Sequence, residues 1–148
     1  SLTTLEGCPN TLKQCQSLLQ KFKIQNVTCV NAEFSEQLSK YQSNSFDLIY
    51  FDGNHSKAAT LNYFETLLPT THNDSVWIFD DIHWSIQMEE AWEIIKNHPQ
   101  VTVSIDTFQW GIVFFRTEQV KEDFIIRVNQ SFISDNILGI KNLWGLIK

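Results

Sequence analysis

The amino-acid sequence predicts a three-layer α/β domain whose sheet is mostly parallel and ends in an antiparallel hairpin. Three observations carry that expectation. Strand-like and helix-like segments alternate along the chain. The segments Phe46–Phe51 and Val76–Phe79 are nearly unbroken apolar runs, as strands covered on both faces require. The last two strand-like segments, Val101–Ile105 and Trp110–Phe115, are separated by too few residues for a crossover and read as a hairpin.

Taken in order, Leu2–Glu6 is a short β-prone segment, and the turn Cys8-Pro9-Asn10-Thr11 offers caps for a following helix. Leu12, Cys15, Leu18, Leu19 and Phe22 recur at helical spacing and mark its inner stripe. Val27–Val30 is the next strand. A short helical stretch with Leu38 and Tyr41 then leads through the polar loop 42–45 to the strand Phe46–Phe51. Ala58, Leu61, Phe64 and Leu68 form the stripe of a helix that Pro69 ends, because proline supplies no N–H to continue the ladder. After the strand Val76–Phe79, the stripe Met88, Ala91, Trp92 and Ile95 runs to a stop at Pro99. Phe108 and Trp110 are expected in the core of the closing hairpin. Residues 1–116 thus read as one core and 117–148 as an extension, roughly helical in period through Val120, Phe124, Ile125 and Val128. Its apolar content fits packing on the sheet, a lid or a subunit contact such as a homodimer.

Composition narrows the function classes. At 148 residues the chain fits one domain, and 43% hydrophobic content can fill one core. A net charge of −6 and the lack of any Lys or Arg run make nucleic acid a poor partner. The apolar runs are strand-length, well short of the roughly 20 residues of a membrane-spanning helix. Cys8, Cys15 and Cys29 form no CxxC pair and leave one thiol over, which argues against a disulfide framework and for a reducing, cytoplasmic setting. The chain opens on Ser1 rather than Met and enters a strand at once, so it reads as a piece of a longer protein.

In open α/β sheets, ligands bind outside the carboxyl ends of the strands. Those ends carry Glu6, Asn31-Ala32-Glu33, Asp52 and Asp80-Asp81. The string Phe46 to Ser56, FDLIYFDGNHS, followed by a helix and then VWIFDDIHW, Val76 to Trp84, resembles the fourth and fifth strands of class I S-adenosylmethionine-dependent methyltransferases. It is most similar to the small-molecule O-methyltransferases, with a Rossmann-like sheet, and the likeness extends over about Leu2 to Arg116. It implies S-adenosylmethionine as cofactor and a small-molecule hydroxyl as acceptor. It also implies a strand and glycine-rich loop that nothing before Glu6 supplies, and so a hole in the sheet between the strands ending at Glu6 and Asp52.

Carried over by position, Glu6 is expected to accept the ribose hydroxyls of the cofactor, a task suited to a carboxylate. Ala32 and Glu33 fall at the adenine contacts, largely through backbone. Asp52 lies beside the methyl-transfer site. Asp52, Asp80 and Asp81 match positions that bind Mg²⁺ or another divalent cation in the metal-dependent branch, since hard cations take oxygen ligands. His55 is the candidate base, because imidazole titrates near neutral pH.

Plainer roles stand beside each of these. Glu6 can open a turn, Asp81 can cap the next helix, and His55 can be a loop histidine bonded to Asp52. After the acid pair, a packed Trp84 and an exposed His83 are the common arrangement. DGNHS is also similar to the Gly-Asn-His element of calcineurin-like metallophosphoesterases, although the remaining histidines form no matching pair. A non-catalytic binding or scaffold domain that keeps the methyltransferase shell is the stronger alternative.

Overall fold

The computed structural model describes residues 1–127, and the apolar tail after Arg127, with any lid or subunit role, lies outside them. The strands are β1 (Leu2–Glu6), β2 (Val27–Asn31), β3 (Leu48–Phe51), β4 (Val76–Phe79), β5 (Val103–Asp106), β6 (Gly111–Phe114) and β7 (Glu122–Ile125). The helices are α1 (Pro9–Lys21), α2 (Phe34–Gln37), α3 (Lys57–Leu67) and α4 (Ile86–Lys96), with a 3₁₀ turn at Leu38–Tyr41. Proline at the first turn of α1 costs no hydrogen bond, and Ser56 and Ser85 cap α3 and α4 by accepting from the N–H of Ala59 and Met88.

The strands fall into two sheets. β1 and β2 pair in parallel, with Leu2 opposite Val27 and Glu6 opposite Asn31. The other sheet has the order β3-β4-β6-β5-β7, parallel from β3 to β4 and antiparallel through the β5–β6 hairpin. Among the described residues no ladder joins β1 to β3. Leu5 on β1 nevertheless packs against the core beneath the larger sheet, so the two sheets share one apolar interior.

Alternation along the larger sheet places that interior on one face. Trp77, Phe79 and Val113 are buried there, against Phe64 and Leu67 of α3 and Trp92 and Ile95 of α4. Aromatic contacts knit the layer: Phe51 stacks on Phe79 with centroids 4.5 Å apart, and Trp77 meets Phe115 edge to face at 5.0 Å. The opposite face presents Leu48 and Tyr50, 57% and 48% exposed.

Three expectations change in detail. Of the predicted α1 stripe only Leu12 is buried, while Leu18 and Phe22 stay exposed, because a two-stranded sheet gives the helix little to cover. The segment after Arg116, helical in period, instead supplies β7, which pairs in parallel with the open edge of β5. Lys121 draws it in by donating from Nζ to the carbonyls of Lys96 and Val101. At the hairpin, Trp110 is half-exposed rather than in the core, and Phe108 sits at φ 80°, a left-handed conformation rare for a bulky residue.

Candidate functional site

Two neighbouring groups of residues form at the carboxyl ends of the strands. The first lies after β1 and β2. The Asn31 side-chain amide donates to the Glu6 carbonyl at 2.7 Å and to the Gly7 carbonyl at 3.2 Å, and the Ala32 N–H reaches the Glu6 carbonyl at 3.3 Å. These bonds lock the two turns together. A Cβ on Gly7 would stand 2.9 Å from Glu33 Oε1, so the acidic side chain of one turn lies over the backbone of the other. Glu6 also does structural work, accepting the Cys8 N–H at 2.7 Å on Oε1 where α1 begins.

The second group lies after β3 and β4. Asp52 Oδ1 is 3.6 Å from His55 Nε2, an ion-pair separation if the ring is protonated. Asp80 follows β4, and its backbone N–H donates to the Phe51 carbonyl at 2.9 Å, continuing the β3–β4 ladder. Its Oδ1 is buried without a hydrogen-bond partner, a condition that asks for a water or ligand. Asp80 and His55 line a cavity of about 20 Å³ with Phe34, Phe51, Thr60 and Tyr63, room for about one water molecule.

The charges here are felt mutually. Burial, and after it the Asp80 carboxylate, pushes the Asp81 carboxyl above its ordinary range, against a lowering influence from His55 and with a further rise from Asp52. Burial likewise raises the Tyr50 phenol, reinforced by Asp80 and Asp52, while Trp110 hydrogen-bonds to Tyr50 and opposes the rise. Asp52, His55, Asp80 and Asp81 therefore form one electrostatic neighbourhood.

The two groups meet through Phe34, the residue after Glu33. A Cβ on Gly53 would stand 2.3 Å from Phe34 Cε2, so the glycine beside Asp52 is what lets that ring lie flat against the loop. Phe34 also packs edge to face on Tyr63 at 5.6 Å. Burial, and then the Glu33 carboxylate, raises the Tyr63 phenol.

The expected cation site is not formed. Among the described residues no group of three or more His, Cys, Asp or Glu side chains is disposed to hold a metal ion. Asp52 lies against His55, Asp80 keeps one buried oxygen without a partner, and Asp81 stands in a left-handed turn at φ 53°, and the three carboxylates do not gather at a shared point. Asp81 does not cap α4, since Ser85 does. His83 and Trp84 exchange their expected roles: Trp84 is 72% exposed, whereas both ring nitrogens of His83 are engaged.

Phe34, Tyr50 and Trp110 join the site without having been singled out for it. Tyr50 was visible as the polar-tipped residue two before Asp52. Phe34 and Trp110 reach the site only by long-range packing, which no local pattern encodes.

The chain matches the family model described as a methyltransferase domain over residues 1–82. No curated protein matches it. Among solved structures, it is similar to a candidate O-methyltransferase from Klebsiella pneumoniae, with 17% identity and a TM-score of 0.67, covering 79% of this chain and 62% of that one. An O-methyltransferase from Bacillus cereus, solved with S-adenosylhomocysteine, aligns at 18% identity and a TM-score of 0.60, over 76% and 61% of the two chains. An rRNA methylase from Streptococcus thermophilus aligns at 12% identity and a TM-score of 0.62, over 78% and 73%. The chain thus spans about three fifths of the length of the first of these. None of the described helices is long and apolar enough to cross a membrane.

Proposed function

Since the chain belongs to the methyltransferase-domain family, we propose that the protein carrying it moves the methyl group of S-adenosylmethionine to a hydroxyl of a small-molecule acceptor. The observation that carries this reading is the placement of the Asp52–His55 pair and of Asp80 just after two adjacent parallel strands, with one carboxylate oxygen of Asp80 buried and unpartnered. The fold alone leaves the acceptor open, as the rRNA methylase among its structural neighbours illustrates. The acidic balance of the chain favours a small molecule over a polyanion.

The residues present suit the cofactor. Glu6 offers a carboxylate for two ribose hydroxyls, and the joined turns of Gly7 and Ala32–Glu33 provide backbone for the adenine. Bound there, S-adenosylmethionine supplies a methyl on a sulfonium centre, open to attack by an oxygen nucleophile. His55 takes the proton of the acceptor hydroxyl at Nδ1, and Asp52, whose Oδ1 is 3.6 Å from Nε2, orients the ring and stabilises the imidazolium that results. Asp80 Oδ1 accepts a hydrogen bond from acceptor or water. No step passes through a metal.

The test is transfer of labelled methyl to a panel of phenols and sugars by the longest polypeptide that carries this chain. His55→Ala should slow transfer roughly 10²–10⁴-fold while leaving S-adenosylhomocysteine affinity unchanged. Full activity in that variant would remove His55 from the mechanism. Among the described residues β1 and β3 each keep one edge without a strand partner, which favours one alternative, a scaffold that keeps the shell without the chemistry. A folded polypeptide that binds no S-adenosylhomocysteine would select it.

A further inference from the structure

His83, Asp106, Phe108 and Arg127 close on one another in a ring. Asp106, 8% exposed at the end of β5, receives His83 Nε2 on Oδ2 at 2.9 Å and Arg127 Nη1 on Oδ1 at 2.9 Å. The Phe108 N–H also donates to Oδ1, at 2.8 Å. The Phe108 ring lies between the same two partners, stacked on the His83 ring at 5.3 Å and 17°, with the Arg127 guanidinium 5.6 Å from its centroid on the ring face. The other ring nitrogen of His83 faces Glu89 Oε1 of α4 at 3.2 Å.

This ring holds a backbone that does not hold itself. A phenylalanine at φ 80° costs of order 1–3 kcal/mol and persists only where its surroundings impose it. The strained residue lies in the hairpin tip 107–110, two residues before Trp110, which reaches the Tyr50 hydroxyl beside Asp80. Thr107 and Trp110 bond across the tip, and the Ile82 N–H donates to the Gln109 carbonyl at 3.3 Å. The tip is therefore tied both to the ring and to the turn that carries Asp80 and Asp81.

We propose that His83 and Phe108 are positioning residues, whose ring with Asp106 and Arg127 holds the hairpin tip down so that Trp110 stands as a fixed wall beside Tyr50 and Asp80. The role of that wall, to bound the acceptor side of the site, rests on the methyltransferase reading. The clamp itself does not.

The chain has five tryptophans, Trp77, Trp84, Trp92, Trp110 and Trp144, so ¹⁹F spectra of the 5-fluorotryptophan-labelled protein report on the tip directly, with the Trp110 line assigned by its loss in Trp110→Phe. His83→Leu and Phe108→Gly should each shift and broaden that line while the lines of buried Trp77 and Trp92 hold. His83→Gln, whose amide can still donate to Asp106, should bring it part of the way back. If His83→Leu does not fold, Arg127→Met, at a more exposed position, should move the same line. A Trp110 line unchanged in the folded variants overturns the proposal. In an active polypeptide the variants should raise KM for the acceptor several-fold with kcat and S-adenosylhomocysteine affinity little changed. A moved line without any methyl transfer would leave the clamp standing and sink the functional reading, whereas an unmoved line with transfer intact would do the reverse.

Discussion

Replacing Gly53 by alanine tests the joint between the two halves of the site. The added methyl would lie 2.3 Å from Phe34 Cε2 and 2.8 Å from Cδ2, well inside contact distance, and the obstacle is a ring packed against Tyr63 and the core rather than the loose end of a side chain. Phe34 has to tilt, and with it the start of α2 after Ala32 and Glu33. Overpacking of this kind costs about 1–3 kcal/mol, which at roughly 2–4 °C per kcal/mol for a chain of this size lowers the melting temperature by about 2–12 °C. Thermal unfolding followed by circular dichroism measures it. Phe34→Leu makes room, so Gly53→Ala on that background should cost much less, a coupling that a double-mutant cycle isolates. If the two changes simply add, the glycine is not there for the ring and the joint between the halves fails with it.

Other outcomes follow from the same contacts. Asp81→Asn should raise the melting temperature at neutral pH: the folded-state pKa is raised, so ionised Asp81 opposes folding above its unfolded pKa, and the gain should vanish once pH falls below that value. Asparagine also tolerates the left-handed backbone there. Asp106 has the opposite sign. Burial alone would raise it, but hydrogen bonds from Arg127, His83 and the Phe108 N–H hold it below the ordinary range. Its stabilising contribution is present above the unfolded pKa and lost as pH falls through the folded one, so Asp106→Asn should flatten the acid limb of stability measured by urea unfolding. Gly111→Ala, whose methyl would meet the buried Trp92 ring at 2.5 Å, should cost about 1–3 kcal/mol in the same assay.

Much of the fold was legible because periodicity is local. The β-prone segment Leu2–Glu6 and the apolar run Val76–Phe79 form strands over the predicted spans, and Pro69 and Pro99 fall just after the helices they stop. The acids at the strand ends were legible for the same reason, since the end of an apolar run is visible in sequence. What the chain does with them was not. Whether Asp52, Asp80 and Asp81 share an ion depends on how three turns aim their side chains, and the left-handed turn at Asp81 leaves no signature in composition. The engagement of His83 depends on Asp106 and Glu89, residues 23 and 6 positions away on other elements. β7 was hidden because an exposed edge strand lacks an apolar alternation to betray it.

The most direct test of the methyltransferase reading is S-adenosylhomocysteine binding, by calorimetry, to the longest polypeptide that carries this chain, beside its Glu6→Gln variant. Glutamine keeps an oxygen for the Cys8 N–H, so the turn survives and only the charged acceptor for the ribose is lost. Loss of charge-assisted hydrogen bonds worth about 1–3 kcal/mol should weaken binding roughly 5- to 150-fold. Equal affinity in the two proteins, or no binding by a folded parent, would contradict the account.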